Sequence, residues 1–176
     1  IKERRSVRKY KDEKVDRETM REIVDIARWA PSWVNYQIAR YTLVDDEEII
    51  KEIAEHGVNG FVYNIDTLRT AKGVAVLSFV KGKSGTYDKE YITSKGNSWE
   101  VFDAGIACQT FCLAAHAKGV GTCIMGVIDD KSIAKIVNLP EDETVAALIV
   151  YGYEDGEHAA PNKRKDVDEI MRFVDR

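Results

Sequence analysis

The segment that most restricts the fold of this chain is residues 99–118, WEVFDAGIACQTFCLAAHAK. Its pattern predicts a helix, but alanine, glycine, cysteine and other apolar residues lie on more than one of its faces. A helix that is apolar on most sides has to be covered on most sides. We therefore expect it either at the middle of the fold or at a subunit interface, where its small residues would let neighbouring helices approach closely.

Helical and strand patterns alternate along the rest of the chain. Residues 16–30 predict an amphipathic helix that Asp16 can cap and that ends before Pro31. Further helices are predicted at 47–57 and 129–138, strands at 40–44, 73–80, 120–125 and 143–153, and a long loop at 81–98. The expected result is an α+β (α/β layered) fold, with one sheet and helices packed against it, in a single domain over residues 1–176.

Composition limits the classes of partner that such a fold could serve. Of the 176 residues, 26 are lysine or arginine and 30 are aspartate or glutamate, which gives a formal net charge of -4. This balance argues against nucleic acid or an anionic membrane as a general partner. No apolar run has the length of a membrane span or the position of a signal-peptide core. Because the cysteine count is odd, at three, the sequence predicts a cytoplasmic protein with reduced thiols.

The common catalytic and metal-binding motifs do not match this sequence. Gly121 and Gly126 have the GxxxxG spacing of a phosphate-binding loop, but the lysine and the serine or threonine that should follow are absent. None of the histidines, which are His56, His116 and His158, has a neighbour at metal-ligand spacing. We therefore expect no metal and no side-chain nucleophile, and an organic cofactor that supplies the chemistry.

Three polar segments remain as candidates for ligand binding. The N-terminal segment IKERRSVRKY holds five basic residues in ten, so we expect it to meet a small, local anion. Residues 30–37, APSWVNYQ, place amide and hydroxyl groups beside aromatic side chains, which suits the donor and acceptor edge of a heterocycle; a turn with ordinary hydrogen bonds is the alternative. Residues 161–166, PNKRKD, are a second basic cluster, for which a solvated surface run is the alternative.

In order along the chain, four segments resemble motifs of the FMN-dependent nitroreductase superfamily. They are RRSVRKY, APSWVNYQ, CIMG and PNKRKDVDEIM, and together they extend over nearly the whole chain. The resemblance implies a nitroreductase-like fold with a central, mostly antiparallel sheet flanked by helices. It also implies a homodimer with FMN sites at the interface, each built from both chains, and residues 99–118 suit such an interface. A helix buried wholly within one subunit is the alternative for that segment.

Carried over by position, the resemblance assigns the FMN phosphate to basic residues near both ends of the chain. Arg4 and Ser6 would hold the phosphate and ribityl end, and Arg5 would assist. Arg164 and Lys165 would close on the phosphate from the C-terminal segment. Guanidinium groups suit this task because they bind phosphate oxygens through paired, charge-assisted hydrogen bonds.

At the ring end, the resemblance places Arg8 at the N1 and O2 edge of the isoalloxazine, where a cation favours the reduced flavin. Asn35 would contact the O4 and N3 side. Further contacts from the same turn would come from Pro31, Ser32 and Gln37. The N5 and O4 edge would meet the backbone of Ile124, Met125 and Gly126.

The resemblance therefore implies an FMN-dependent NAD(P)H oxidoreductase in which flavin N5, rather than a catalytic side chain, performs the chemistry. NADH or NADPH would deliver a hydride, and a nitroaromatic, quinone or similar electron-poor acceptor would take the electrons in a second, ping-pong half-reaction. Tyr87 and Tyr91 would either form part of a lid or lie in a plain mobile loop. Two alternatives stay open: a specialised flavin dehydrogenase or dehalogenase on the same fold, and a noncatalytic flavin-binding sensor or interaction protein.

Overall fold

The computed structural model describes residues 1–156 and 160–175, so that His158 lies outside the described residues. The helices are α1 (Arg17–Ala27), α2 (Glu47–His56), α3 (Val62–Thr70), α4 (Ser98–Ala117), α5 (Asp130–Ile136) and α6 (Val167–Ile170). The strands are β1 (Ala39–Val44), β2 (Gly73–Val80), β3 (Thr86–Tyr87), β4 (Glu90–Tyr91), β5 (Gly121–Met125) and β6 (Glu143–Gly152).

The centre of the fold is one antiparallel sheet with the strand order β1-β2-β6-β5. Strand β2, GVAVLSFV, is buried along almost its whole length. A strand that is covered on both faces needs such a continuous apolar run. The prediction of a central, mostly antiparallel sheet is therefore confirmed.

Helices cover both faces of this sheet, and each face has its own core. On one face, Ile23 of α1 and Phe111 of α4 pack in the same core as Leu77. On the other face, Ile53 of α2 packs in the same core as Val76, together with residues of α3 and α5. Val76 and Leu77 are consecutive in β2, and consecutive side chains of a strand point to opposite faces. This arrangement confirms the layered α+β fold.

Helix α4 is buried on one side and open on another. Phe111, Cys112 and Ala115 are fully buried, at 0% exposure, whereas Val101 and Phe102 in its first turns are 60% and 57% exposed. The chain therefore covers only part of the apolar surface of α4 and leaves an apolar face open. None of the described helices is both long enough and apolar enough to cross a membrane.

Helix α3 is an element that the sequence patterns do not predict. Its buried side chains include Asn64 and Thr67, whereas Val62 and Tyr63 are 61% and 73% exposed. Leu68 is the one apolar residue among the three buried ones, so apolar residues mark the buried face of this helix poorly, and a prediction that relies on hydrophobic period fails here.

The segment 81–98 has more structure than the long loop that the sequence predicts. Strands β3 and β4 form a short hairpin in which Thr86 pairs with Tyr91. Ser84 and Thr86 are buried, whereas Tyr87 is 73% exposed. The segment is thus anchored to the body of the protein around Ser84 and Thr86, and the tip of the hairpin lies on the surface.

Candidate functional site

The N-terminal basic segment lies against the outer edge of β5. Ser6 and Thr122 form a parallel β-bridge, and the Val7 N–H donates to the Thr122 carbonyl oxygen at 2.9 Å. A Cβ on Gly121 would lie 2.7 Å from Val7 Cγ2, so this close approach requires glycine. Val7 is buried, whereas its neighbours Ser6 and Arg8 are exposed and free to meet a ligand.

Arg4 and Arg5 line a small cavity beside this edge. The cavity has a volume of about 140 Å³, and His116 and Glu154 also line it. Arg5 Nη1 donates to the carbonyl oxygens of Lys2 and Arg4 at 2.7 and 2.9 Å. Arg5 Nε is buried and has no hydrogen-bond partner among the described residues. Because a buried donor without a partner is unfavourable, this N–H fits a ligand that brings an acceptor.

The positive charges of Arg4 and Arg8 both lie close enough to strand β5 to affect a side chain on it. Burial raises the pKa of the Cys123 thiol, and the positive charges of Arg8 and Arg4 act against that rise. Arg8 Nη1 donates to the Ser6 carbonyl oxygen at 3.2 Å. A guanidinium group has five N–H donors, so this one contact leaves Arg8 with donors for a ligand.

Beyond the Ser6–Thr122 bridge, strand β5 has further backbone groups that point to its outer edge. Because Thr122 faces Val7 and backbone groups of a strand alternate between its two edges, the N–H of Ile124 points to the outer edge. The Ile124 side chain is 47% exposed, whereas Met125 is 2% exposed, so Met125 can offer only its backbone. Apart from Gly126 and its two neighbours in the chain, no described residue has an atom within 4 Å of the position that a Cβ on Gly126 would take. This open space suits a flat ligand.

Asn64 of α3 is a candidate residue that the sequence patterns do not reveal. Its Nδ2 donates to the Val127 carbonyl oxygen at 3.0 Å, and the residue is 9% exposed. The contact fixes the backbone directly after Gly126. A polar residue on the buried face of a helix would be the signal for it, but α3 itself was not predicted.

The turn of residues 30–37 has an unusual backbone. Three of its residues, Val34, Asn35 and Gln37, have positive φ angles of 45°, 57° and 51°. Residues other than glycine seldom adopt positive φ, and a β-branched valine does so least readily. Ser32 Oγ accepts a hydrogen bond from the Gln37 N–H at 2.8 Å, and Asp103 Oδ2 accepts one from the Trp33 N–H at 2.9 Å. These contacts hold the turn in its strained form.

The same turn borders a second, larger cavity. This cavity has a volume of about 470 Å³ and is lined by Pro31, Ser32 and Gln37 together with Tyr36 and Asp103. Of the polar turn residues predicted from the sequence, Ser32 and Gln37 therefore share this surface, whereas Asn35 does not line the cavity.

The two halves of the predicted site lie at opposite ends of α4 within one chain. The turn contacts Asp103, whereas the cavity beside Arg4 includes His116. These two residues are thirteen positions apart on one helix, which corresponds to about 20 Å. The chain thus brings Arg4, Arg5, Ser6 and Arg8 together with residues 124–126, but not with residues 31–37.

The C-terminal basic residues stand apart from both halves. Residues 160–175 are all exposed, and Arg164 Nη1 donates to the Asn162 carbonyl oxygen at 3.0 Å. Among the described residues of one chain, no contact connects Arg164 or Lys165 with Arg4. Their assignment to the phosphate stays a prediction.

Neither a disulfide nor a cluster of metal-ligating side chains is found among the described residues. Cys108, Cys112 and Cys123 are buried and free. Within residues 1–156 and 160–175, no group of three or more histidine, cysteine, aspartate or glutamate side chains is arranged to hold a metal ion.

Comparisons with known proteins identify the family of the chain. A sequence model of the Nitroreductase family matches residues 1–153. The chain is 30% identical over 157 residues to an FMN reductase [NAD(P)H] of Bacillus subtilis, with 85% of this chain and 62% of that protein covered. It is 26% identical over 161 residues to an iodotyrosine deiodinase of Thermotoga neapolitana, with 88% and 86% covered.

The fold has close counterparts among solved structures. An FMN-dependent nitroreductase of Clostridium difficile superposes with a TM-score of 0.75 at 29% identity, over 98% of this chain and 95% of that one. The family match extends over both the N-terminal basic segment and strand β5, which together form the open edge described above. The chain therefore belongs to the nitroreductase family.

Proposed function

We propose that this protein is an FMN-dependent NAD(P)H oxidoreductase that reduces nitroaromatic, quinone or similar electron-poor acceptors by a ping-pong mechanism. One observation carries the proposal. The Ser6–Thr122 bridge holds Arg4, Ser6 and Arg8 on the open edge of β5, beside the outward N–H of Ile124. Cationic donors followed by backbone donors along one edge suit a ligand with a phosphate at one end and a flat heterocycle at the other.

The phosphate end of FMN fits the N-terminal arginines. A phosphate monoester carries a charge of about −1.5 to −2 at neutral pH and offers several strong acceptor oxygens. Arg4 lines the small cavity, and the buried Arg5 Nε has no partner among the described residues, so both can donate to such an anion. Ser6, exposed on the same edge, would meet the phosphate or the ribityl chain.

The ring end of FMN fits the stretch from Arg8 to Gly126. Arg8 would bind at the N1 and O2 edge, where a fixed cation favours the reduced flavin. The Ile124 N–H and the backbone at Met125 and Gly126 would bind at the N5 and O4 edge. Asn64 would keep this backbone in place through its hydrogen bond to the Val127 carbonyl oxygen.

FMN, when bound, would supply the redox chemistry by accepting a hydride from NADH or NADPH and passing the electrons to an acceptor. The residues of the chain would bind, orient and polarise the flavin, and no side chain would act as a general base. Acceptors of varied structure would be used because stacking on a flat surface depends little on the detail of the partner.

We also propose that the working form is a homodimer with FMN sites at the interface. Val101 and Phe102 leave an apolar face of α4 uncovered, and an exposed apolar face of this kind is typical of an interface. The turn 31–37 lies about 20 Å along α4 from the Arg4 cavity, so a two-fold pair could bring the turn of one copy to the arginines of the other. Ser32, Asn35 and Gln37 would then contact the FMN of the partner.

The small-molecule substrate would be the only other partner, with neither nucleic acid nor a membrane involved. The formal net charge of -4 gives no support to a nucleic-acid surface. We propose the cytoplasm as the location, because Cys108, Cys112 and Cys123 are all free thiols and a reducing compartment keeps them so.

A second candidate function is reductive dehalogenation on the same fold. The observation in its favour is the 26% identity to an iodotyrosine deiodinase over 88% of this chain. A dehydrogenase specialised for one substrate would use the same donors, and a noncatalytic flavin sensor would use the same phosphate site.

Activity assays with matched acceptors separate these functions. The purified, FMN-loaded protein is supplied with NADH or NADPH and with a nitroaromatic, a quinone or iodotyrosine. We expect oxidation of the donor with the nitroaromatic and the quinone. Turnover with iodotyrosine alone would favour the dehalogenase, and FMN binding without oxidation of either donor would favour the sensor.

A further inference from the structure

Two carboxylates near the start of α4 are buried without a counter-ion. Glu100 is 4% exposed and Asp103 is 3% exposed. Within the described part of the chain, neither forms an ion pair with lysine or arginine. Burying a carboxylate is unfavourable unless it accepts hydrogen bonds, so the groups that donate to each of these two carboxylates indicate its role.

Asp103 collects donors from two segments that are distant in the sequence. Its Oδ2 accepts the Trp33 N–H at 2.9 Å and the Ser84 hydroxyl at 2.5 Å. Ser84 is 0% exposed, so water does not compete for this hydroxyl. Asp103 therefore joins the turn 31–37 to the segment 81–98.

Glu100 differs from Asp103 because it serves only one of these segments. Its Oε1 accepts the Gly82 N–H at 2.5 Å and the Tyr91 hydroxyl at 3.0 Å, and both donors belong to the segment 81–98. Glu100 is thus a matched control for Asp103: a buried carboxylate on the same helix, one turn away, with contacts to the segment but not to the turn.

The turn needs such an anchor because its backbone is strained. Residues with positive φ persist only where the surrounding structure holds them, and they concentrate at ligand sites. The turn has positive φ at Val34, Asn35 and Gln37. Besides the bond to Asp103, the Trp33 Nε1–H donates to the Thr86 carbonyl oxygen at 3.1 Å, which is a second link to the segment 81–98.

We propose that Asp103 is a positioning residue: it holds the turn 31–37 in the form that presents Ser32, Asn35 and Gln37, and it couples this turn to the segment 81–98. The inference rests on the proposed function, because that function gives these three side chains a flavin to contact. Movement of the hairpin that carries Tyr87 would be transmitted through Ser84 and Asp103 to the turn. Glu100 fixes the segment alone.

The anchoring is tested first without flavin, by amide hydrogen exchange of the apo-protein. Asp103→Asn replaces two charge-assisted hydrogen bonds by weaker neutral ones, so exchange at the Trp33 N–H should become about tenfold faster. Glu100→Gln should accelerate exchange at the Gly82 N–H and affect that at Trp33 much less than Asp103→Asn does, because the Ser84–Asp103 hydrogen bond stays in place. An unchanged exchange rate at Trp33 in folded Asp103→Asn protein would overturn the inference.

The coupling is tested with Ser84→Ala, which removes one hydroxyl and leaves the carboxylate in place. Exchange at the Trp33 N–H should again become faster, although Ser84 does not touch the turn, and tryptic cleavage after Lys83 or Lys89 should accelerate. Unchanged exchange at Trp33 would show that Ser84 and Asp103 do not couple the segment to the turn, and would overturn this part of the inference. This variant also decides the question if Asp103→Asn does not fold.

A functional readout separates positioning from a merely structural role. In Asp103→Asn, the dissociation constant of FMN and the KM for the acceptor should rise about fivefold or more, while kcat per bound flavin changes little. Glu100→Gln should leave the FMN dissociation constant within twofold of wild type. Equal effects of both substitutions would overturn the positioning role. Wild-type protein that takes up no FMN would refute the proposed function, while the exchange experiments would still decide the anchoring.

Discussion

The Val7 N–H donates to the Thr122 carbonyl oxygen at 2.9 Å, and this hydrogen bond places the N-terminal segment along the outer edge of β5. It sets the position of Ser6 and Arg8, which flank Val7. It also identifies the outer edge of β5, to which the Ile124 N–H points two residues further along the strand. A basic segment that would otherwise be a flexible end is thereby aligned with backbone donors.

Gly121→Ala should disturb this alignment. The new Cβ would lie 2.7 Å from Val7 Cγ2, so the N-terminal segment has to move away from β5. We expect a lower melting temperature and an FMN affinity that is weaker by about tenfold, measured by thermal unfolding and fluorescence titration. The double variant with Val7→Ala removes the two γ-methyl groups and should recover part of the affinity; no recovery would contradict the steric explanation.

Arg4→Ala should weaken the binding of FMN by roughly 10- to 150-fold, because a hydrogen bond to a charged group contributes about 1.5–3 kcal/mol. Calorimetric titration with FMN and with riboflavin separates the phosphate from the ring, since riboflavin lacks the phosphate and its affinity should not change. Arg69→Ala, which removes a surface arginine paired with Asp66, is the control. Equal losses for both ligands would argue against the phosphate assignment.

Arg8→Ala should lower the midpoint potential of the bound flavin. Loss of about 1–2 kcal/mol of stabilisation of the reduced form corresponds to roughly 20–45 mV for a two-electron couple. A redox titration against a dye of known potential measures it. Lys9→Ala, which removes a neighbouring surface cation paired with Asp155, should leave the potential unchanged. A potential equal to that of wild type in Arg8→Ala would refute the role of Arg8 at the N1 edge.

Phe102→Glu should dissociate the homodimer. The side chain is 57% exposed on the open face of α4, and a carboxylate there would have to lose its hydration on association. Sedimentation should give a monomer with reduced FMN retention. Val62→Glu, at a residue that is 61% exposed on α3, is the control and should remain dimeric. A dimer in both variants would place the interface elsewhere.

The elements that could be predicted from the sequence are those whose apolar residues mark the buried face. Strand β2 is one, because GVAVLSFV is buried on both faces. Helix α3 could not be predicted, because its buried face carries Asn64 and Thr67 while Val62 and Tyr63 face solvent. Residues of this helix are buried by contacts with residues that are distant in the sequence. The local period of apolar residues carries no information about such contacts.

The site was predictable to a similar extent. The basic segment is contiguous, so its charge density could be read directly from RRSVRKY. Asp103 could not be found in this way, because its partners Trp33 and Ser84 are 70 and 19 positions away. Nor could the sequence show that the halves of the site lie at opposite ends of α4, since that separation depends on which end of the helix each segment contacts.

The most direct test of the proposed function is a visible absorption spectrum of the purified protein under anaerobic conditions, before and after NADH and then NADPH are added. We expect a yellow protein that bleaches with at least one donor and regains its colour when a quinone is added. A yellow protein that stays oxidised with both donors would contradict the oxidoreductase function and favour a flavin sensor. A colourless protein that also fails to take up added FMN would show that Arg4, Ser6 and Arg8 bind a different anion.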